Sequence, residues 1–194
     1  LGANGLQDTE PNMNGNFFEF LWPNPTDGFS APAWRSRQVY YQIFPERFKN
    51  GDSSRTPPGA EAWGSAPTRE NFMGGDLAGI AQQLDYIQSL GVTCLYLTPI
   101  FRAPSNHKYD TADYFEIDPA FGTKADLRRL VDGVHARGMR ILLDGVFNHC
   151  GYWWDKFQDV VKNGEASPYR SWFFIHSYPV DAERQNYDCV GHYK

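Results

Sequence analysis

The sequence predicts an α/β fold in which helices cover a parallel sheet, and three observations carry that prediction. Residues 141–147 form an apolar run too dense for a half-solvated strand, so they read as a strand buried on both faces. Two amphipathic helical stretches end at Gly91 and Gly138, each followed almost at once by an apolar run. So short a join from helix to strand is the mark of a βαβ unit with a right-handed crossover.

The elements follow in order. Residues 1–34 are rich in Asn, Pro and Gly and carry Phe17, Phe18, Phe20 and Trp22. They are expected to be a leader or interdomain linker whose aromatic side chains pin it to a neighbouring surface. Residues 39–44 are β-branched and aromatic and stop at Pro45, which predicts a first strand. Asn50, Asp52, Pro57, Pro58 and Gly59 punctuate the loop that follows. Asp76 can cap the first helix, with Leu77, Ile80, Leu84, Ile87 and Leu90 on its buried face and Gly91 ending it. Residues 92–97 are the second strand, and residues 98–122 read as a long loop at the carboxyl edge of the sheet, where loops tend to carry function. Thr123 opens the second helix, with Asp126 as its capping-box partner and Leu127, Leu130, Val131 and Val134 facing the core.

The third strand contains one acid, Asp144, and delivers Asn148 and His149 to the carboxyl edge. A carboxylate in a covered strand is costly without hydrogen-bond partners, so Asp144 must have them. Beyond Gly151, residues 152–194 are dense in aromatic side chains without a sustained period, which predicts an irregular excursion.

Composition narrows the function. The 194 residues carry 18 Lys and Arg against 23 Asp and Glu, a formal charge of −5 without a basic stripe, which argues against nucleic acid as a partner. No run is long enough to span a bilayer, so no membrane is expected. The aromatic content, 16%, suits stacking on sugar rings, although aromatic residues also fill cores. Cys94 lies inside an apolar strand and is expected to be an inert buried thiol, while a Cys150–Cys189 disulfide stays open. There is no nucleophile triad, phosphate-cradling glycine loop or zinc spacing. The polar groups gathered at the carboxyl edge, among them Arg47, His107, Tyr109, Asp110, Asn148 and His149, suit a polyhydroxylated ligand, or else are solvated loop residues. Asn50, Asp52 and Asp76, with nearby glycine carbonyls, offer the hard oxygens that Ca²⁺ takes; the plainer reading is a polar turn.

Taken together, the motifs resemble glycoside hydrolase family 13, the α-amylase family, and within it the cyclomaltodextrinase and neopullulanase branch. The resemblance rests on Tyr41-Gln-Ile-Phe-Pro-Glu-Arg-Phe48, Asn50-Gly-Asp52, Gly74-Gly-Asp-Leu77, Lys108-Tyr-Asp-Thr-Ala-Asp-Tyr114, Phe121-Gly-Thr123 and Leu143-Asp-Gly-Val-Phe-Asn-His149, in that order. It implies the first three β/α units of a TIM (β/α)₈ barrel over residues 35–149, with residues 150–194 beginning a domain inserted after strand three. It implies that Tyr109 stacks on the sugar at the cleavage position and that His149 bonds that sugar's primary hydroxyl. Asp144 and Asn148 would organise the site, and Asn50, Asp52, Gly74 and Asp76 would hold calcium. Arg55 and Thr56 depart from the calcium pattern, since an Arg repels a cation.

The family hydrolyses α-glucosidic bonds with retention, using two carboxyl groups about 5–5.5 Å apart. In relatives these groups follow later strands, so the nucleophile and the acid are expected beyond Lys194, and the chain alone is expected to be inactive. The implied partners are α-glucan oligosaccharides, and the resemblance allows a homodimer for a full-length protein. A rival reading is an amylase-like binding or scaffold protein, against which Tyr109 and His149 speak, because such a role does not require them.

Overall fold

The computed structural model describes residues 31–188. The chain divides into two units, Leu1–Arg37 and Gln38–Lys194. The described part of the first holds one 3₁₀ turn, Arg35–Arg37. Phe17, Phe18, Phe20, Trp22 and Cys189 lie outside the described residues, and so does the question of a disulfide to Cys150. Everything below concerns the second unit.

Three strands form its sheet: β1 (Tyr40–Ile43), β2 (Cys94–Leu97) and β5 (Arg140–Leu143). They are parallel and lie in the order β1-β2-β5, with Ile43 opposite Leu97 and Leu97 opposite Leu143. The central strand behaves as the sequence predicts: Cys94, a free thiol, and Leu95 and Leu97 are fully buried. The third strand does not. Leu142 and Leu143 are 38% and 42% exposed, so the expectation of burial on both faces fails. The reason is position: among the described residues β5 is an edge strand, and its apolar density suits an interior place in a wider sheet. The described part is a partial α/β unit with both sheet edges open, consistent with an incomplete barrel.

Asp76 caps the first helical stretch, accepting from Gly79 N at 2.6 Å. That stretch is two short helices, α1 (Leu77–Gln82) and α2 (Leu84–Ser89), broken where Gln83 N reaches back only three residues to Ile80. Leu77, Ile80, Leu84 and Ile87 are buried as predicted, but Leu90 falls beyond the end of α2 and is 49% exposed. The capping box at α3 (Lys124–Ala136) is complete: Thr123 N donates to Asp126 Oδ2 at 2.7 Å, and Asp126 N to Thr123 Oγ1 at 3.3 Å. Leu130 and Val134 of α3 enter the core beside Leu77, Ile80 and Leu95, while Leu127 packs on its margin. Gly138 takes φ +68° after the helix, a conformation that disfavours any other residue there.

Two expectations of irregular structure are corrected. Within residues 98–122, β3 (Phe101–Arg102) and β4 (Asp113–Ile117) pair antiparallel around a register shift. Beyond Gly151 a helix forms, α4 (Asp155–Asn163), which buries Phe157 and Val160. β3 is obscured by its length of two residues, and α4 by the aromatic residues around its two buried positions. Among the described residues no helix is long and apolar enough to cross a membrane.

The unequal burial of the strands predicts unequal sensitivity. Leu95→Ala should cost about 2–5 kcal/mol in urea unfolding, and Leu143→Ala under about 1 kcal/mol.

Candidate functional site

A cleft of about 2340 Å³ opens at the carboxyl ends of the strands, with Phe44 after β1, Tyr109 and Tyr114 from the segment after β2, and Asn148 and His149 after β5 on its wall. Asp144 extends the sheet by one residue, its N–H donating to Leu97 O at 3.1 Å. Its Oδ2 accepts from two phenols, Tyr96 Oη at 2.6 Å and Tyr109 Oη at 2.9 Å. The partners that a strand carboxylate requires are therefore present. Strand geometry explains the first, because Tyr96 pairs with Leu142 and Asp144 lies two residues on, which returns its side chain to the same face.

Both phenols resist ionisation. The Tyr109 hydroxyl is pushed up chiefly by burial and next by its bond to the Asp144 carboxylate; for Tyr96 the bond to Asp144 is the larger cause. Each therefore remains a donor, and the Tyr109 ring stays neutral. Tyr96 was missed in the sequence because it sits mid-strand among apolar residues, where a tyrosine looks like core. The available signal was its hydroxyl, which in a covered strand needs a partner.

The segment presenting Tyr109 is anchored by its neighbour. Lys108 adopts φ +63° and is 2% exposed. Its Nζ lies 2.7 Å from Asp118 Oδ2, donates to Ala103 O at 2.9 Å and sits over the Phe72 and Phe121 rings. A second set of bonds ties this segment to the loop after β5. Tyr114 Oη lies 2.9 Å from Val146 O and 2.8 Å from His149 O, its one hydrogen shared between the two carbonyls, and burial pushes its pKa up to about 12. Gly151 N donates to Thr111 O at 2.8 Å, and a Cβ on Gly151 would meet Asp110 O at 2.1 Å, so the two backbones touch where only glycine fits.

His149 Nε2 lies 2.9 Å from Tyr109 O. A carbonyl only accepts, so Nε2 carries the hydrogen, and in the neutral ring Nδ1 then keeps a lone pair. That Nδ1 is covered and has no partner among the described residues. Tyr109, Asp144 and His149 are thus brought together, and Asn148 lies exposed on the same wall.

The four candidate calcium residues are also neighbours, but the carboxylate oxygens among them are engaged. Asp76, 1% exposed, accepts from Gly51 N at 3.1 Å, Asp52 N at 2.8 Å and Gly79 N at 2.6 Å. Asp52 accepts from Ser54 N and Oγ on one oxygen and from Arg55 Nε at 2.9 Å on the other, which hold its carboxyl below the usual range. Asn50 Nδ2 donates to Thr56 Oγ1 at 2.6 Å, and Gly74 N to Glu46 Oε1 at 2.8 Å. A hard cation needs six to eight converging oxygens. The two carboxylates are already bonded to N–H groups and to the Arg55 guanidinium, an arrangement that does not fit it, and among the described residues no three His, Cys, Asp or Glu side chains cluster to hold a metal.

With this geometry in place, the comparisons define the class: residues 42–189 match the alpha amylase catalytic domain, and the chain belongs to that family. It is 58% identical over 174 residues to a cyclomaltodextrinase of Geobacillus thermopakistaniensis, covering 89% of this chain and 30% of that protein. It is 51% identical over 174 residues to neopullulanase 2 of Thermoactinomyces vulgaris, covering 88% and 30%. Among solved structures, the cyclic α-maltosyl-(1→6)-maltose hydrolase of Arthrobacter globiformis, in complex with that cyclic sugar, superposes with a TM-score of 0.80 at 49% identity, over 84% of this chain and 37% of that one. The chain thus spans about a third of the length of the relatives it matches.

The Lys108 anchor yields a stability prediction. Lys108→Met strands the Asp118 carboxylate without its countercharge and should cost about 3–5 kcal/mol in urea unfolding. Adding Asp118→Asn should recover part of that loss. An unchanged midpoint in the single variant would show that the pair does not hold the segment.

Proposed function

We propose that this chain is the amino-terminal part of the catalytic domain of an α-glucan-acting glycoside hydrolase. The reaction is retaining hydrolysis, or transfer, at α-1,4 glucosidic bonds of maltodextrins, cyclodextrins or pullulan. The chain supplies residues that position the sugar, and the carboxyl groups that break the bond lie beyond Lys194. Residues 150–194, with α4, begin the domain inserted after the third strand. The observation that carries this reading is the convergence at the carboxyl edge of the sheet of Tyr109 and His149, which line one cleft, with Asp144 bonded to the Tyr109 hydroxyl.

The chemistry follows from that wall. The neutral Tyr109 ring, held through its hydroxyl by Asp144, offers an apolar face to the carbon skeleton of a glucosyl unit. The unpartnered Nδ1 of His149 is an acceptor that a sugar hydroxyl can satisfy once the loop adjusts to ligand. Retention needs a nucleophile on one side of the bond and a proton donor to the leaving oxygen on the other. The carboxylates lining the cleft include Asp110, which accepts from Ser105, and Asp188, which pairs with His176 at 2.8 Å. Glu70 lines it as well, so the supply of both catalytic groups from elsewhere rests on the family resemblance and not on the state of these carboxylates.

Two measurements test the proposal. The purified 194-residue chain should release no glucose or maltose from maltotriose above a buffer control, and turnover free of contaminating amylase would overturn the assignment of the catalytic groups. In the full-length enzyme, Tyr109→Ala should lower kcat/KM for maltotriose by about 10²-fold, the scale of a misplaced substrate. A variant that keeps full kcat/KM removes Tyr109 from the sugar site.

A further inference from the structure

The loop after β1 carries the residues that the family resemblance assigns to calcium, yet a cationic side chain already stands among them. Arg55 Nε donates to Asp52 Oδ2 at 2.9 Å, and its Nη2 lies 3.5 Å from Asp126 Oδ2. Asp126 is no ordinary surface acid: it is 8% exposed and closes the capping box of α3. The guanidinium therefore links the loop after β1 to the start of α3. The same loop is pressed against α1, since a Cβ on Gly51 would fall 2.1 Å from Gly79 N, and Asp76 N donates to Lys49 O at 3.0 Å.

We propose that Arg55 is a built-in replacement for a divalent cation, joining Asp52 to Asp126 so that the loop at residues 50–56 is ordered without metal. A guanidinium suits that role because it stays charged, its planar donors can serve two carboxylates at once, and it gives up hydration more readily than an ammonium. The remaining acid, Asp76, has its oxygens bonded by three backbone N–H groups. Thr56 completes the exchange by taking the Asn50 amide as a hydrogen-bond partner. An exposed pair of this kind contributes little, but Asp126 is buried and Arg55 is two-thirds covered, so its loss is measurable. The inference is independent of the reaction proposed above.

The test is thermal unfolding of the 194-residue chain, followed by circular dichroism, in EDTA and in millimolar CaCl₂. Wild-type midpoints should agree within about 1 °C, and calorimetric titration with CaCl₂ should show no saturable heat. Arg55→Gln should lower the midpoint in EDTA by about 3 °C, whereas Arg55→Lys, which keeps the charge, should lose less. A calcium-dependent rise of about 3 °C or more in the wild type, or a one-to-one binding isotherm, overturns the proposal. So does an Arg55→Gln variant as stable in EDTA as the wild type. If Arg55→Gln fails to fold, the wild-type titration alone decides.

Discussion

One carboxylate oxygen organises the described part of this protein. Asp144 Oδ2 receives hydrogen bonds from Tyr96 on the central strand and Tyr109 on the segment that follows it. The bonds satisfy a charge that would otherwise be stranded at the head of an apolar strand. They also fix register. A slip of one residue between β2 and β5 would turn Tyr96 to the opposite face and leave Asp144 without its shorter bond. The sheet and the cleft wall are therefore specified by the same interaction, because the carboxylate that the strand register positions also holds the Tyr109 hydroxyl.

Around that centre the carboxyl-edge segments are fastened to one another and to the core. Lys108 fixes the residue before Tyr109 through Asp118, Tyr114 holds the backbone of the loop after β5, and the Gly151 contact closes the two segments together. The loop after β1 is secured separately, by the caps and ion pairs of Asp76, Asp52 and Arg55. The segments that form the cleft wall are therefore held by the protein's own contacts.

What was legible in the sequence was whatever depends on local chemistry. Asp76 and Thr123 announce helix starts because a side-chain oxygen there has few other uses, and the demand that Asp144 find partners follows from burial alone. The two motifs carrying Tyr109 and His149 lie together at the carboxyl edge of the sheet. The misses were non-local. Tyr96 became a site residue only through a neighbour 48 positions away. The exposure of Leu142 and Leu143 depends on which strands surround β5, and an apolar run does not encode that. β3 exists only as the partner of β4, being too short to carry a period, and α4 shows one buried stripe within a field of aromatic residues that hides it.

The most direct test of the central interaction is the ionisation of the two phenols. With tyrosines labelled at the hydroxyl-bearing carbon and assigned by Tyr96→Phe and Tyr109→Phe, NMR titration should find both still protonated after exposed tyrosines have ionised. Asp144→Asn should bring both to lower pH, more completely for Tyr96, whose resistance comes mainly from that bond, than for Tyr109, where burial dominates. If Tyr96 and Tyr109 ionise with the exposed tyrosines, or if Asp144→Asn leaves their titration unchanged, the carboxylate does not hold the site.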